Sequence, residues 1–488
     1  MTGLHLFAVI PLMVLGGTAV LLMLVSTFTS RHVAFLGLTM AGIVGSLVAV
    51  VLVAGSSDRR ATGLLRMDDY ALFFIGLFVV TTGLVAILSY EYLERTEKRP
   101  AEYYVLMLLA TLGAATLVAS THFASFFLGL EVLSVSLYGL IAYPSTRPLA
   151  LEAGLKYLVL AATTAAFLVL GMALVYGVTG SLVLGDLSAY AAGVSGLQKG
   201  LYAAGLILIF TGVGFKLALV PFHLWTPDVY QGASAPVTAF VATVSKGALF
   251  ALLLRYAGQV DVAGGRPLFL VLTVVAFASM AVGNLLALLQ QNVKRLLAYS
   301  SISHLGYLLV ALLAGGALAR TAAAFYLVAY SLTMVAAFGV VAALSREGGE
   351  PESLEEYRGL GRRRPWLAGA LTLALLSLAG IPITAGFIGK FLLVEAGAGA
   401  SRWALVVVLV LTSTIGLFYY LRVIVTMYAR PALVAADSDR GFAAGLSLSR
   451  IGIPTACVLG FLSLALLLLG LYPSVLLRLI ERVAAGLG

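Results

Sequence analysis

Along the chain, apolar residues run in blocks of about twenty, each closed by a few polar, glycine or proline positions. At 1.5 Å rise per residue, a helical block of that length crosses a hydrocarbon core about 30 Å thick. Fourteen blocks are legible, at 4–26, 33–54, 69–90, 103–120, 123–143, 150–178, 200–222, 236–257, 267–289, 297–315, 321–344, 366–394, 402–428 and 452–476. Only Ser120 to His122 separate the fourth from the fifth. The short alternating segments of a transmembrane barrel are not seen. The pattern predicts an all-α polytopic membrane protein of about fourteen transmembrane helices. No basic stretch precedes the first block and no small-residue cleavage site follows it, so it reads as a retained span.

Composition sharpens this picture. Of 488 residues, 61% are hydrophobic and 10% charged, against about 25% charged in a soluble domain. The net charge of +9 would point toward nucleic acid in a soluble protein. Here the basic residues are scattered over short loops, where topology and lipid headgroups account for them. No nucleic-acid partner is expected. The single cysteine, Cys457, permits no internal disulfide and no cysteine-rich metal site, and reads as a small apolar residue. No glycine-rich fingerprint at a strand–helix turn and no cysteine set is present, so no NADH, flavin or iron–sulfur site is expected on this chain.

Orientation follows from the basic loop residues. The loops after odd-numbered blocks carry 15 of them, and the even loops with the C-terminus carry 10. The odd loops are therefore predicted to be cytoplasmic and both termini outside. The longest polar stretch, Ser345 to Pro365, holds five arginines and five glutamates and reads as a cytoplasmic loop.

Five of the 30 basic residues remain: Lys156, Lys216, Lys246, Lys390 and Arg422, all inside apolar blocks. Only seven lysines exist in the chain, so four of seven lie in spans. Each costs about 2.5–3.5 kcal/mol at mid-bilayer without a partner. Lysine suits proton carriage because its ammonium loses a proton readily when desolvated and keeps it beside a carboxylate. Arginine stays protonated, so Arg422 reads as structural. The bland alternative for the lysines is snorkelling or static ion pairing. Glu131 is the clearest carboxylate deep in a span, whereas Glu152 and Glu395 read as facing an interface.

Two blocks look broken. One reads GVGFKLALVPFH from Gly212 to His223, the other GIPITAGFIGK from Gly380 to Lys390. Proline removes a backbone donor and glycine weakens the helix, which favours discontinuous helices lining a hydrated cavity. Lys216 and Lys390 are 174 residues apart. Similar offsets carry Glu131 to His304, Lys246 to Arg422 and Lys156 to Tyr330. Five spans separate the copies, so the two units should be inverted across the membrane. The expected organisation is helices 1–3 in 1–102, a first repeat in 103–257, a second in 267–428 and a last helix in 452–488. A histidine such as His304 often just bonds a neighbouring carbonyl; as a relay it would join two half-channels.

The stretch GFKLALVPFHLWTPDVYQGASAPVTAF from Gly214 to Phe240, with Ser245 and Lys246, resembles the N-type antiporter-like subunits of bacterial NADH:quinone oxidoreductase (respiratory complex I). The segments LEVLS at 130–134, NVKRLLAYSSISHLGY at 292–307 and GFIGKF at 386–391 are similar to that family too. The resemblance implies two inverted five-helix repeats and a proton path from a Glu131–Lys216 pair through Lys156 and Lys246 to Lys390; His304 is read as a further relay from its own chemistry. A lysine at 390 suits the N-type, since M-type subunits usually place a glutamate there. It also implies membrane partners of the L-, M-, K- and A/J-type and a hydrophilic redox arm. NADH, FMN, iron–sulfur clusters and quinone would be held by those partners. The alternatives are a subunit of a multisubunit cation/proton antiporter, a hydrogenase-type relative of complex I, or a membrane scaffold. Low lysine with high alanine and arginine points to a bacterial plasma (inner) membrane.

Overall fold

The structure is a computed structural model that describes residues 6–56, 62–96, 100–186, 196–256, 266–345, 349–430 and 451–485. Thirteen of its helices are long and apolar enough to cross a membrane. In chain order these are span 1 (Leu6–Ser26), span 2 (His32–Ala54), span 3 (Asp69–Glu94), span 4 (Pro100–Ala119), span 5 (Phe123–Ile141), span 6 (Pro148–Thr179), span 7a (Gly196–Leu217), span 8 (Ala235–Tyr256), span 9 (Leu268–Leu288), span 10 (Val293–Ala314), span 11 (Gly316–Ala343), span 13 (Trp403–Tyr428) and span 14 (Ile453–Leu471). Two short helices, span 12a (Pro365–Ala379) and span 12b (Ala385–Gly399), make up the remaining block. Three isolated bridges stitch loops together, Leu65 to Ser120, His122 to Val183 and Asn292 to Ser353.

The core lies in spans 8, 10 and 11. In each, 94% of the most hydrophobic window is buried, against 28% to 39% in spans 1, 2, 6, 9, 13 and 14. The first set is apolar all round because it packs on protein, and the second presents an apolar face outward. Spans 4 and 5 pack against each other as spans 9 and 10 do. Each pair crosses at a glycine: a Cβ on Gly113 would sit 2.5 Å from Leu133 N, and one on Gly283 would sit 2.6 Å from Ser303 N. Only glycine permits that backbone approach.

Span 7 breaks where glycine and proline predict. Helix 7a ends at Leu217, Ala218 takes a left-handed φ of 59°, and a second half, span 7b, runs from Trp225 to Gly232. The apolar block ends at 222, and the second half lies beyond it because WTPDVYQG is too polar and too short to register as a span. Backbone groups freed by the break find partners, as a water-poor interior requires. Trp225 Nε1 donates to Phe215 O at 2.8 Å, and Ser279 Oγ accepts from Val220 N at 3.0 Å. Span 12 breaks at Gly380, φ 80°, and Ile383, φ 79°. There Ser377 Oγ accepts from Gly386 N at 3.2 Å.

Several basic residues assigned to loops by sequence are built into the fold. Arg255 is buried and forms a two-pronged ion pair with Asp68, 2.7 Å on each arm. Lys294 is wholly buried against Glu350. Both ends of these pairs are distant in sequence, so charge counting by loop could not separate them from headgroup-facing residues. Arg59, Arg60, Lys98, Arg99, Arg346, Arg440 and Arg450 of that count lie outside the described residues.

A Cβ at Gly386 would stand 1.8 Å from Ser377 O, so the two halves of span 12 touch through that glycine. Gly386→Ala should destabilise the chain by about 1–3 kcal/mol. A lowered melting temperature of the assembled complex, followed by native gel after heating, is the measure; an unchanged one would refute the contact.

Candidate functional site: a row of buried lysines

Lys216, Lys246, Lys390 and His304 are all buried. They lie on spans 7a, 8, 12b and 10 and are joined by hydroxyls and aromatic rings. Lys216 stands in the last turn of 7a. Its Nζ donates to Ser134 Oγ at 2.6 Å and lies 5.1 Å from the centre of the Tyr157 ring. Ser134 is one turn beyond Glu131 on span 5. Glu131 and Lys216 make no direct ion pair among the described residues, and Glu131 Oε1 is buried without a hydrogen-bond partner. The expected pairing of Glu131 with Lys216 is thus not a direct contact: the ammonium is held by the Ser134 hydroxyl, which itself donates to Leu130 O.

Tyr157 packs on Trp225, ring centres 4.9 Å apart, and Trp225 lies 5.7 Å from Lys246 Nζ. Span 7b, through Trp225, therefore separates the first lysine from the second. A five-residue π-turn, Val241–Ser245, delivers Lys246 into the core, and such turns are frequent at functional sites. Lys246 Nζ donates to Ser301 Oγ at 2.8 Å. The same oxygen accepts from Tyr330 OH at 2.8 Å and lies 3.1 Å from Tyr230 OH.

One turn beyond Ser301, His304 sits between two phenols. Its Nδ1 is 2.6 Å from Tyr326 OH and its Nε2 3.1 Å from Tyr420 OH, which also contacts Ser300 Oγ. A neutral imidazole in that place donates through one nitrogen and accepts through the other. Its ring centre is 5.3 Å from that of Tyr307, over which Lys390 Nζ lies at 5.2 Å. Lys390 donates to Ser413 Oγ at 2.6 Å and to Ala379 O at 3.0 Å. Ala379 is the last residue of 12a, so this ammonium caps a half-helix.

Lys216 precedes its break and Lys390 follows its own. The Lys216 ammonium is held by Ser134 of span 5, whereas Lys390 reaches the carbonyl end of 12a. Orphan carbonyls and the negative end of the helix dipole gather there. Transporters hold cations at such ends.

Lys156 lies apart from the row. Its side chain is 45% exposed and pairs with Glu152 at 2.7 Å and with Asp228 of span 7b at 2.9 Å. Asp228 also binds Arg295 at 2.8 Å. Tyr330, the residue that spacing matched to Lys156, is buried in the row instead. Arg422, matched to Lys246, donates to Leu288 O and Gln290 O at the end of span 9 and is a structural cap. Apart from Tyr330, reached by spacing, the sequence does not single out Ser134, Ser301, Ser413 or the other tyrosines. A signal existed for some: Ser300, Ser301 and Tyr307 stand at helical spacing from His304, on one face of span 10.

A helical membrane fold with two broken spans and intramembrane lysines defines an antiporter-like membrane subunit. The family model described as "NADH:quinone oxidoreductase/Mrp antiporter, TM" matches residues 120–416. Within that class, the chain belongs to the NADH-quinone oxidoreductase subunit N family. It is 47% identical over 453 residues to "NADH-quinone oxidoreductase subunit N" of Methylococcus capsulatus, covering 92% of this chain and 91% of that one. It is 48% identical over 491 residues to the protein of the same name from Nitrosospira multiformis, covering 98% and 96%. Among solved structures, a chain of "Respiratory complex I from Thermus thermophilus with bound Aureothin" superposes with a TM-score of 0.80 at 35% identity, covering 96% of this chain and 98% of that one. A chain of the "Mrp complex from Dietzia sp. DQ12-45-1b" gives 0.84 at 23% identity over 99% and 98%, a likeness of fold alone.

Neutralising Lys156 should matter less than neutralising Lys246. An exposed ion pair is worth about 1 kcal/mol at most, so Lys156→Met should lower NADH-driven proton transport by less than about fivefold, and Lys246→Met by more. Initial acidification rates of inverted membrane vesicles give the ranking, and the reverse order would return Lys156 to the row.

Proposed function

We propose that this chain is a non-redox, proton-translocating membrane subunit of an NADH:quinone oxidoreductase in a bacterial plasma membrane, with both termini outside. The observation that carries the reading is the set of buried Lys216, Lys246, His304 and Lys390, each held by hydroxyl groups, with Glu131 one turn before Ser134. Three buried ammonium groups with hydroxyl partners and no contacting carboxylate have a clear chemical use, which is to gain and lose protons. Partner subunits of the L-, M-, K- and A/J-type and the redox arm would hold NADH, FMN, iron–sulfur clusters and quinone. They would supply the energy.

A charge movement arriving from a neighbouring subunit alters the distance between Glu131 and Lys216. With the carboxylate near, the ammonium keeps its proton; with it withdrawn, the proton leaves. It passes by way of Lys246 and the Ser301 hydroxyl to His304. The imidazole takes a proton at one nitrogen and releases one at the other, so the two phenols exchange donor and acceptor roles. Lys390 receives the proton at the second break and releases it to the far side. The units 103–257 and 267–428, inverted relative to one another, would give one half-channel to each face.

Lys216→Met, placed in the native chromosome, tests the reading. NADH-driven acidification in inverted vesicles should fall by at least about tenfold, the scale of a lost proton-transfer group, in complex that still assembles on a native gel. Acidification per NADH oxidised equal to wild type would remove Lys216 from the path. Proton flux driven by sodium or potassium without NADH would instead assign the chain to cation/proton antiport.

A further inference from the structure

The polar stretch between spans 11 and 12, which reads as a surface loop, reaches into the protein. Glu350 and Lys294 form a pair with both side chains 0% exposed, at 2.5 Å. Each also holds backbone at the corner between spans 7b and 8. Lys294 Nζ donates to Ala233 O at 2.5 Å, and Glu350 Oε1 accepts from Ala235 N at 2.7 Å. Two residues on, Glu352 Oε2 accepts from Gln231 Nε2 of span 7b and from Asn292 Nδ2, both at 2.9 Å. The same loop is sewn to the start of span 10 by Val293 N to Glu352 O at 2.8 Å and Leu354 N to Gln291 O at 2.9 Å. Arg147, ahead of span 6, stands 3.9 Å from Glu350 and 3.8 Å from Glu352.

What this clamp holds is the short half-helix that carries Trp225 and Tyr230. Those rings lie 5.7 and 5.1 Å from Lys246 Nζ, and Trp225 also packs on Tyr157 beside Lys216. Span 7b has only eight residues, too few to hold itself in place. This loop is one of the elements that fix its position, from outside the helix.

We propose that Glu350 and Lys294 are positioning residues for proton transfer, pinning the corner of spans 7b and 8 so that Trp225 stays in place between Lys216 and Lys246 and Tyr230 beside Lys246. This rests on the proton path proposed above. Neither residue touches that path; each acts through span 7b. The pair could instead be a structural staple alone, and the two roles separate experimentally. Removing one partner strands a buried charge, whereas replacing both by neutral groups of similar shape is often tolerated by a fold.

The test compares Glu350→Gln, Glu350→Asp, the double variant Lys294→Met/Glu350→Gln and Lys246→Met with wild type, in inverted vesicles with native-gel control of assembly. Glu355→Gln, at an exposed pair with Arg358, serves as the loop control. The double variant should assemble as wild type yet acidify at least about tenfold more slowly, the scale of a misplaced reacting group. Glu350→Asp should regain part of what Glu350→Gln loses, and Glu355→Gln should match wild type. Wild-type acidification by the double variant, with Lys246→Met slow, would overturn the clamp and leave the path standing. Wild-type acidification by Lys246→Met would overturn the path itself. Should the double variant fail to assemble, Glu352→Gln decides by the same measure, since it loosens span 7b while leaving the buried pair intact.

Discussion

The rest of this structure depends on one constraint: inside a membrane there is little water to satisfy a charge or an open peptide group. A broken helix in such a place exposes carbonyls, and a lysine in such a place exposes an ammonium. The protein solves each problem with the other. Lys390 reaches back across its break to the carbonyl of Ala379. Lys216 sits in the last turn before its own break, and Lys294 bonds the carbonyl of Ala233 just past span 7b. The helix interruptions that would be liabilities alone become cation sites.

That solution differs between the lysines in a way that bears on function. Lys294 is held by a carboxylate at 2.5 Å. Lys216, Lys246 and Lys390 are held by serine hydroxyls and aromatic faces. Hydroxyls accept from an ammonium and can donate to a neutral amine, so they tolerate both protonation states. Partner chemistry thus separates Lys294, paired with a carboxylate, from the three lysines held by hydroxyls. Glu131 stands one turn before Ser134 and makes no contact pair with Lys216 among the described residues.

Helix 7b sits where several parts of the chain converge. It touches spans 6 and 10, carries Asp228 to Lys156 and Arg295, and is gripped by the loop containing Glu350 and Glu352. Its residue Trp225 stands between the first two lysines of the row, and Tyr230 lies beside the second. A movement of this short helix would change the connection between Lys216 and Lys246 without disturbing the long spans, whose burial in the core makes them costly to shift.

The spans were legible because their length and apolarity are demanded by the bilayer, whatever packs on them. The breaks at Gly212–Pro221 and Gly380–Pro382 were legible because proline and glycine act locally. Scarce lysines inside apolar runs stood out because each carries a large solvation cost. Burial and partnership could not be read this way. Lys156 and Lys246 look alike in sequence, but one ends 45% exposed among carboxylates and the other in the core against Ser301. Lys294 and Arg255 look like loop charges, yet their carboxylates arrive from 56 and 187 residues away. Composition and local helix chemistry act along the chain, so they wrote the spans and their breaks; the surroundings of each charge come from contacts across it, and only the folded packing assigns them.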